Sequence, residues 1–149
     1  MLAFIVPFYS HSISGMTTAH FHLQISSCPD NINRVEPFVA QIKEYRMFND
    51  VKYYDILLVL TEAVSNAIFH GNCTDIRKYV EIDLRILPNQ LEFTVTDQGG
   101  GFNPATLPDP TQSNRRTQPN GRGVYLMRQL ADELQFADNG RSVRIRFNV

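Results

Sequence analysis

The sequence predicts an α/β fold: a two-layer sandwich with helices on one face of a mixed, mostly antiparallel sheet. Three observations point to it. Helical patterns over 32–48 and 52–70 follow one alternating strand at 21–25. Two further strands, 79–87 and 90–97, are separated only by Pro88-Asn89, a link that suits an antiparallel hairpin. A third helix, 124–134, then precedes closing strands within 134–149. A chain of 149 residues fits one domain with a core of its own.

The elements follow in order. The opening MLAFIVPFYSHSISGM holds a short apolar run, broken by Pro7 and with no positive residue ahead of it. Neither a secretory signal nor a membrane span is expected. Residues 1–18 are set apart as an N-terminal extension, expected to be disordered, with Met16 open as an alternative start. FHLQI, 21–25, alternates as a half-buried strand. Residues 26–31 supply helix-start side chains, and Ile32, Val35, Phe38, Val39 and Ile42 recur at helical spacing. Pro37 falls in the first turns, where proline is tolerated best. The second helix carries DILLVL, 55–60, and stops at Gly71-Asn72. From Gly99 to Gly123 the chain is crowded with Gly, Pro, Asn, Ser and Thr and has no hydrophobic period. So long a stretch within a compact domain reads as a lid, residues 102–120. VYLMRQLADEL makes the third helix, and Asp138-Asn139-Gly140 turns the last strands.

Composition narrows the function. Hydrophobic residues at 43% and charged residues at 19% mark a globular chain. A net charge of −1 offers no electrostatic argument for nucleic acid. Two cysteines, Cys28 and Cys73, are too few for a disulfide framework, so a reduced, cytoplasmic setting is expected.

Three segments carry chemistry. In LTEAVSNAIFHGN, 60–72, Glu62, Asn66 and His70 stand four apart and share one helix face. Glu62 and Asn66 offer oxygens suited to Mg²⁺, and a carboxylate there can take a proton from a hydroxyl. The same pair also fits the wet edge of an amphipathic helix, and His70 suits a helix end, near the last carbonyls. In VTDQGGGF, 95–102, Asp97 ends an apolar strand and can accept from an exocyclic amine such as that of adenine. Gly99 and Gly101 permit close backbone approach to a planar ligand. A plain turn after a strand reads equally well. In PNGRGVYLMRQL, 119–130, Gly121 and Gly123 lead into a helix whose free N–H groups suit phosphate, or else end a flexible loop. Neither the Walker lysine loop nor the dinucleotide glycine fingerprint occurs.

At these residues the sequence resembles the Bergerat-fold, histidine-kinase-like ATP-binding group. It is most similar to its small stand-alone branch, the anti-sigma factor serine/threonine kinases. EAVSNAIFHGN resembles the N box, DQGGG the D-x-G-x-G box, GRGVYLM the second glycine box and NGRSVRIRF the closing strand pattern, so the likeness spans roughly 20–148. The resemblance implies an ATP-binding kinase domain over 19–149. Glu62 would be the general base, Asn66 the Mg²⁺ ligand, and Asp97 the acceptor of the adenine amine, with Gly99 and Gly101 shaping its pocket. Gly121 and Gly123 would let backbone amides meet phosphate, and Ser142 would support the adenine site through its hydroxyl. Some relatives carry a basic residue just before the second glycine box; here Pro119 and Asn120 stand there, so that role falls to Arg122, to Arg115 or Arg116, or to no residue. Arg34 matches a partner-binding arginine in position, and a solvated arginine is the plainer reading. The implied partners are a sigma factor, an anti-anti-sigma protein phosphorylated on serine, and a second copy of the chain, with no nucleic acid and no membrane. The alternative is a non-catalytic module that uses nucleotide only to shape a partner surface.

Overall fold

The computed structural model describes residues 8–9, 19–106 and 119–149. Its sheet comprises β1 (Phe8–Tyr9), β2 (Ala19–Ser26), β3 (Tyr79–Leu87), β4 (Gln90–Thr96), β5 (Glu133–Ala137) and β6 (Ser142–Asn148). The helices are α1 (Val35–Tyr45), α2 (Asp50–Asn66) and α3 (Pro119–Leu130). Strand order is β1-β2-β3-β4-β6-β5, and every pairing among the described residues is antiparallel, with no parallel pair of the mixed kind expected among them. Phe8 and Tyr9, inside the stretch set apart as an extension, pair with His20 and Ala19 at the sheet edge. The rest of that stretch lies outside the described residues.

Register explains the layers. Ile82, Val95 and Val143 stand side by side across three strands, as do Leu84, Phe93 and Ile145, and Ile86, Leu91 and Phe147. All nine are buried. They share one hydrophobic core with Phe38, Val39 and Ile42 of α1, Ile56, Leu60 and Val64 of α2, and Met127 of α3. Because strand side chains alternate, the residues between them form the opposite, polar face. There Glu92 accepts from Arg85 at 3.0 Å and from Arg146 at 2.6 Å. Burial pushes the Glu92 carboxyl up, but these arginines and Arg144 together hold it below the usual range.

Three helix boundaries depart from the sequence reading. A 3-10 turn, Pro29–Arg34, precedes α1, so the helical spacing at Ile32 belongs to that turn. Asn49 caps α2, its side chain accepting from the Lys52 N–H at 2.8 Å. The third helix starts at Pro119 and ends at Leu130, earlier at both ends than 124–134. Leu134 fits the helical spacing, yet Leu134 and Phe136 pair with Ile145 and Val143 in the sheet. Ladder pairing overrides the local pattern.

Candidate nucleotide-binding site

The site begins where α2 and α3 meet. They run antiparallel, with Lys52 Nζ 3.4 Å from Asp132 at one end. At the other end Gly123 lies against Glu62 and Asn66. A Cβ at 123 would stand 2.5 Å from Glu62 Oε2 and 3.7 Å from Asn66 Nδ2. Glycine lets α3 approach this closely, and the second glycine segment is thereby docked on the Glu62–Asn66 line. Among the described residues no cation forms an ion pair with Glu62, which leaves its carboxylate available as a proton acceptor.

Beyond Asn66 the helix widens into a π turn, Ala67–Gly71, with the Asn72 N–H donating to the Ala67 carbonyl at 2.8 Å. Such turns recur at functional sites. Here it brings His70 and Gly71 to the wall of a cavity of about 250 Å³. A Cβ on Gly71 would overlap the Asp97 carboxyl, and one on Gly99 would overlap the Gly71 carbonyl. The two glycines therefore enclose Asp97. Its backbone N–H donates to the Arg141 carbonyl at 2.9 Å, and its Oδ1 accepts from the Gly99 N–H at 2.7 Å. Burial raises the Asp97 pKa; the Gly99 N–H, Arg141 and Lys78 oppose the rise.

The next residues are fastened to the β5–β6 turn. The Phe102 N–H donates to the Asn139 carbonyl at 2.7 Å, and the Phe102 ring meets Phe136 edge-on at 5.4 Å. Gly101 has φ +76°, and a Cβ there would overlap the Asn139 carbonyl. Both the conformation and the contact require glycine.

Val95 and Val143 form the cavity floor, and α2, the π turn and α3 wall it with Ala63, Ala67, Val124 and Met127. Asn66, His70, Asp97 and Arg141 supply polar groups. An apolar slot with few, separated polar groups suits a flat heteroaromatic ligand. The donor set also bears on a metal. Among the described residues no three His, Cys, Asp or Glu side chains are placed to hold one. Asn66 with nucleotide oxygens fits Mg²⁺, which binds through few protein ligands.

The structure gathers most of the expected residues. Asn66, Asp97 and Gly101 line the cavity, Gly99 packs on Asp97, and Gly123 on Glu62. Gly121 and Gly123 lie inside α3 rather than ahead of it. Pro119 has no N–H, so the free donors of the first turn are those of Asn120 and Gly121. Arg122 is exposed. Ser142 does not join the group. Its Oγ lies 3.2 Å from Thr96 Oγ, and strand alternation places both on the polar sheet face. The neighbouring Arg141 lines the cavity instead. Arg34 is exposed at the end of the 3-10 turn, outside the cavity lining. Arg115, Arg116 and most of the expected lid lie outside the described residues.

Sequence reasoning gave Gly71, Asn72 and Arg141 no part in the site, and it placed His70 on the right face but favoured a helix-end role for it. Gly71 and Asn72 read as a helix stop, yet Gly71 has no positive φ; Cys73 and Thr74, at 53° and 56°, take the left-handed positions. His70 lines the cavity together with Asn66, on the face where its spacing of four had placed it. No local pattern signals the left-handed pair at 73–74.

A family model described as the histidine kinase-like ATPase domain matches residues 25–147. An anti-sigma F factor of Geobacillus sp. (strain WCH70) is 31% identical over 121 residues, covering 76% of this chain and 79% of that protein. A serine-protein kinase RsbW of Bacillus velezensis is 27% identical over 101 residues, covering 62% of this chain and 60% of that one. The fold is similar to a crystal structure of the RsbU and RsbW domains of a Mycobacterium tuberculosis protein. There the TM-score is 0.61 at 14% identity, over 86% of this chain and 31% of that chain. With a family match across most of its length and the site above at the matching segments, the chain belongs to the histidine kinase-like ATPase domain family, within the branch of the anti-sigma factor serine/threonine-protein kinases.

Proposed function

We propose that this chain is an ATP-dependent protein-serine kinase and anti-sigma factor, which sequesters a sigma factor and phosphorylates a serine of an anti-anti-sigma protein. One observation carries the reading: Gly123 seats the first turns of α3 on Glu62 and Asn66, beside a cavity whose polar end is Asp97. The base then lies against Asp97, and the phosphates extend toward Asn66 and the free N–H groups of α3. Bound Mg²⁺ would supply charge neutralisation on the phosphates. Glu62, one helical turn from Asn66, accepts the proton of the incoming serine hydroxyl. The names of the similar proteins, anti-sigma F factor and serine-protein kinase RsbW, support a sigma factor as partner and serine as the phosphorylated residue. No described helix is long and apolar enough to cross a membrane.

The test is capture of partners from native lysate, followed by transfer of labelled phosphate from Mg-ATP to each captured protein. Transfer to a serine is the expected result. Binding of ATP and a sigma factor with no transfer to any partner would make the chain a non-catalytic partner-switch module.

Two variants probe its parts. Asp97→Asn removes the charged acceptor and should weaken ATP binding by about 1–3 kcal/mol. Calorimetry showing wild-type affinity would end the adenine assignment. The pH dependence has a definite sign. Since burial raises the Asp97 pKa, the free protein takes up that proton at a less acid pH than an ordinary aspartate. Its fold gains stability as pH falls through that value. ATP holds the carboxylate form, so its affinity should fall over the same range, and Asp97→Asn should flatten that dependence. Arg34→Ala should weaken sigma-factor binding and spare ATP binding; unchanged complex formation would leave Arg34 an ordinary solvated side chain.

A further inference from the structure

We infer that Asn72 is a positioning residue for base recognition, holding the Asp97–Gly99 segment in place from beneath. The inference rests on the reading of Asp97 as the base acceptor. Asn72 is 0% exposed, and its side chain meets three separate segments. Its Nδ2 donates to Ser27 Oγ at 2.8 Å, beyond the end of β2, and to the Tyr79 carbonyl at 2.9 Å, at the start of β3. Its Oδ1 accepts from the Gln98 N–H at 2.8 Å.

That last bond is the informative one. Gln98 sits between the carboxylate that would recognise the base and the glycine that lets it do so. Asp97 is tied on its own N–H to Arg141, and its carboxylate is tied forward to the Gly99 N–H. Asn72 secures the peptide bond between these two ties. The Gln98 side chain reinforces it by accepting from the Tyr79 N–H at 2.7 Å. With the Asn72 contact removed, the peptide following Asp97 can rotate and the carboxylate loses its fixed aim. Selective hydrogen bonding to a base edge depends on such aim, because a misplaced acceptor neither rewards the amine nor rejects a carbonyl.

The same amide also stitches β2 to β3, so a purely structural role must be separated from a positioning one. Calorimetric affinities for ATP and GTP, together with melting temperatures, do this for three variants. Asn72→Leu keeps the volume and loses every side-chain hydrogen bond. It should weaken ATP about tenfold and shrink the ATP-to-GTP affinity ratio about tenfold. Asn72→Asp keeps an acceptor for the Gln98 N–H and loses the two donors; it should melt lower yet retain the ratio. Ser27→Ala removes one Asn72 partner away from Gln98 and should also melt lower with the ratio intact. If Asn72→Leu does not fold, Asn72→Ser replaces it, its hydroxyl too short to reach Gln98. A wild-type ratio in Asn72→Leu or Asn72→Ser overturns the inference, as does equal loss of the ratio in Asn72→Asp. Asp97→Asn run alongside separates the two readings. If that variant also binds ATP as the wild type does, the base assignment has failed. If it weakens ATP while Asn72→Leu does not, only the positioning role has failed.

Discussion

Glu62→Gln is expected to slow phosphate transfer by about 10²–10⁴-fold while leaving ATP and sigma-factor binding in place. Phosphoryl transfer is mostly positioning and charge stabilisation, yet a serine hydroxyl must still lose its proton. Glutamine preserves the shape of Glu62 and removes its basicity, so the loss measures general-base catalysis, whose usual contribution is of that size. Gly123 leaves space beside the Glu62 carboxylate, so the amide fits where the acid did. The measurement is single-turnover transfer from labelled ATP to the captured partner, with ATP affinity determined in parallel. A variant that transfers as fast as wild type would leave the kinase standing and remove Glu62 as its base.

Asn66→Ala should have the other large effect. An active-site cation is worth several kcal/mol to a transferring phosphoryl group, so losing its protein ligand should cost transfer about a thousandfold or more, at about 1.4 kcal/mol per decade. Asn66 is half-buried on the cavity wall, and among the described residues its side chain makes no hydrogen bond. The fold should therefore persist, with an unchanged circular dichroism spectrum. A second readout is independent of activity: in the wild type ATP affinity should rise with added Mg²⁺, and in Asn66→Ala that rise should be blunted. A folded variant with normal Mg²⁺-dependent transfer would refute the assignment.

Much of this architecture was legible along the chain. Alternation identified β2, β3 and β4, and Pro88-Asn89 identified their hairpin, because a two-residue link leaves antiparallel pairing as the fitting geometry. The spacing of Glu62 and Asn66 placed them on one helix face, since helical periodicity is local. For Asp97 and its glycines the residue types fitted a plain turn as well as a ligand, and only the family resemblance pointed to a base. Ser142 was misplaced by one residue: alternation sends adjacent strand side chains to opposite faces, and only the register with Thr96 shows which face is which.

By itself, the sequence determined the elements, the antiparallel core of the sheet and the chemical character of the three glycine-bearing segments. These depend on interactions among near neighbours. The tertiary structure decided that Gly71 and Gly99 close around Asp97, that Gly123 meets Glu62, and that Arg141 rather than Ser142 faces the cavity. It also decided that α3 yields Leu134 to the sheet and that Asn72 binds three segments at once. Each of these is a contact between residues distant in the chain, set by how layers pack and how buried polar groups find partners. Such contacts leave no periodic trace in sequence.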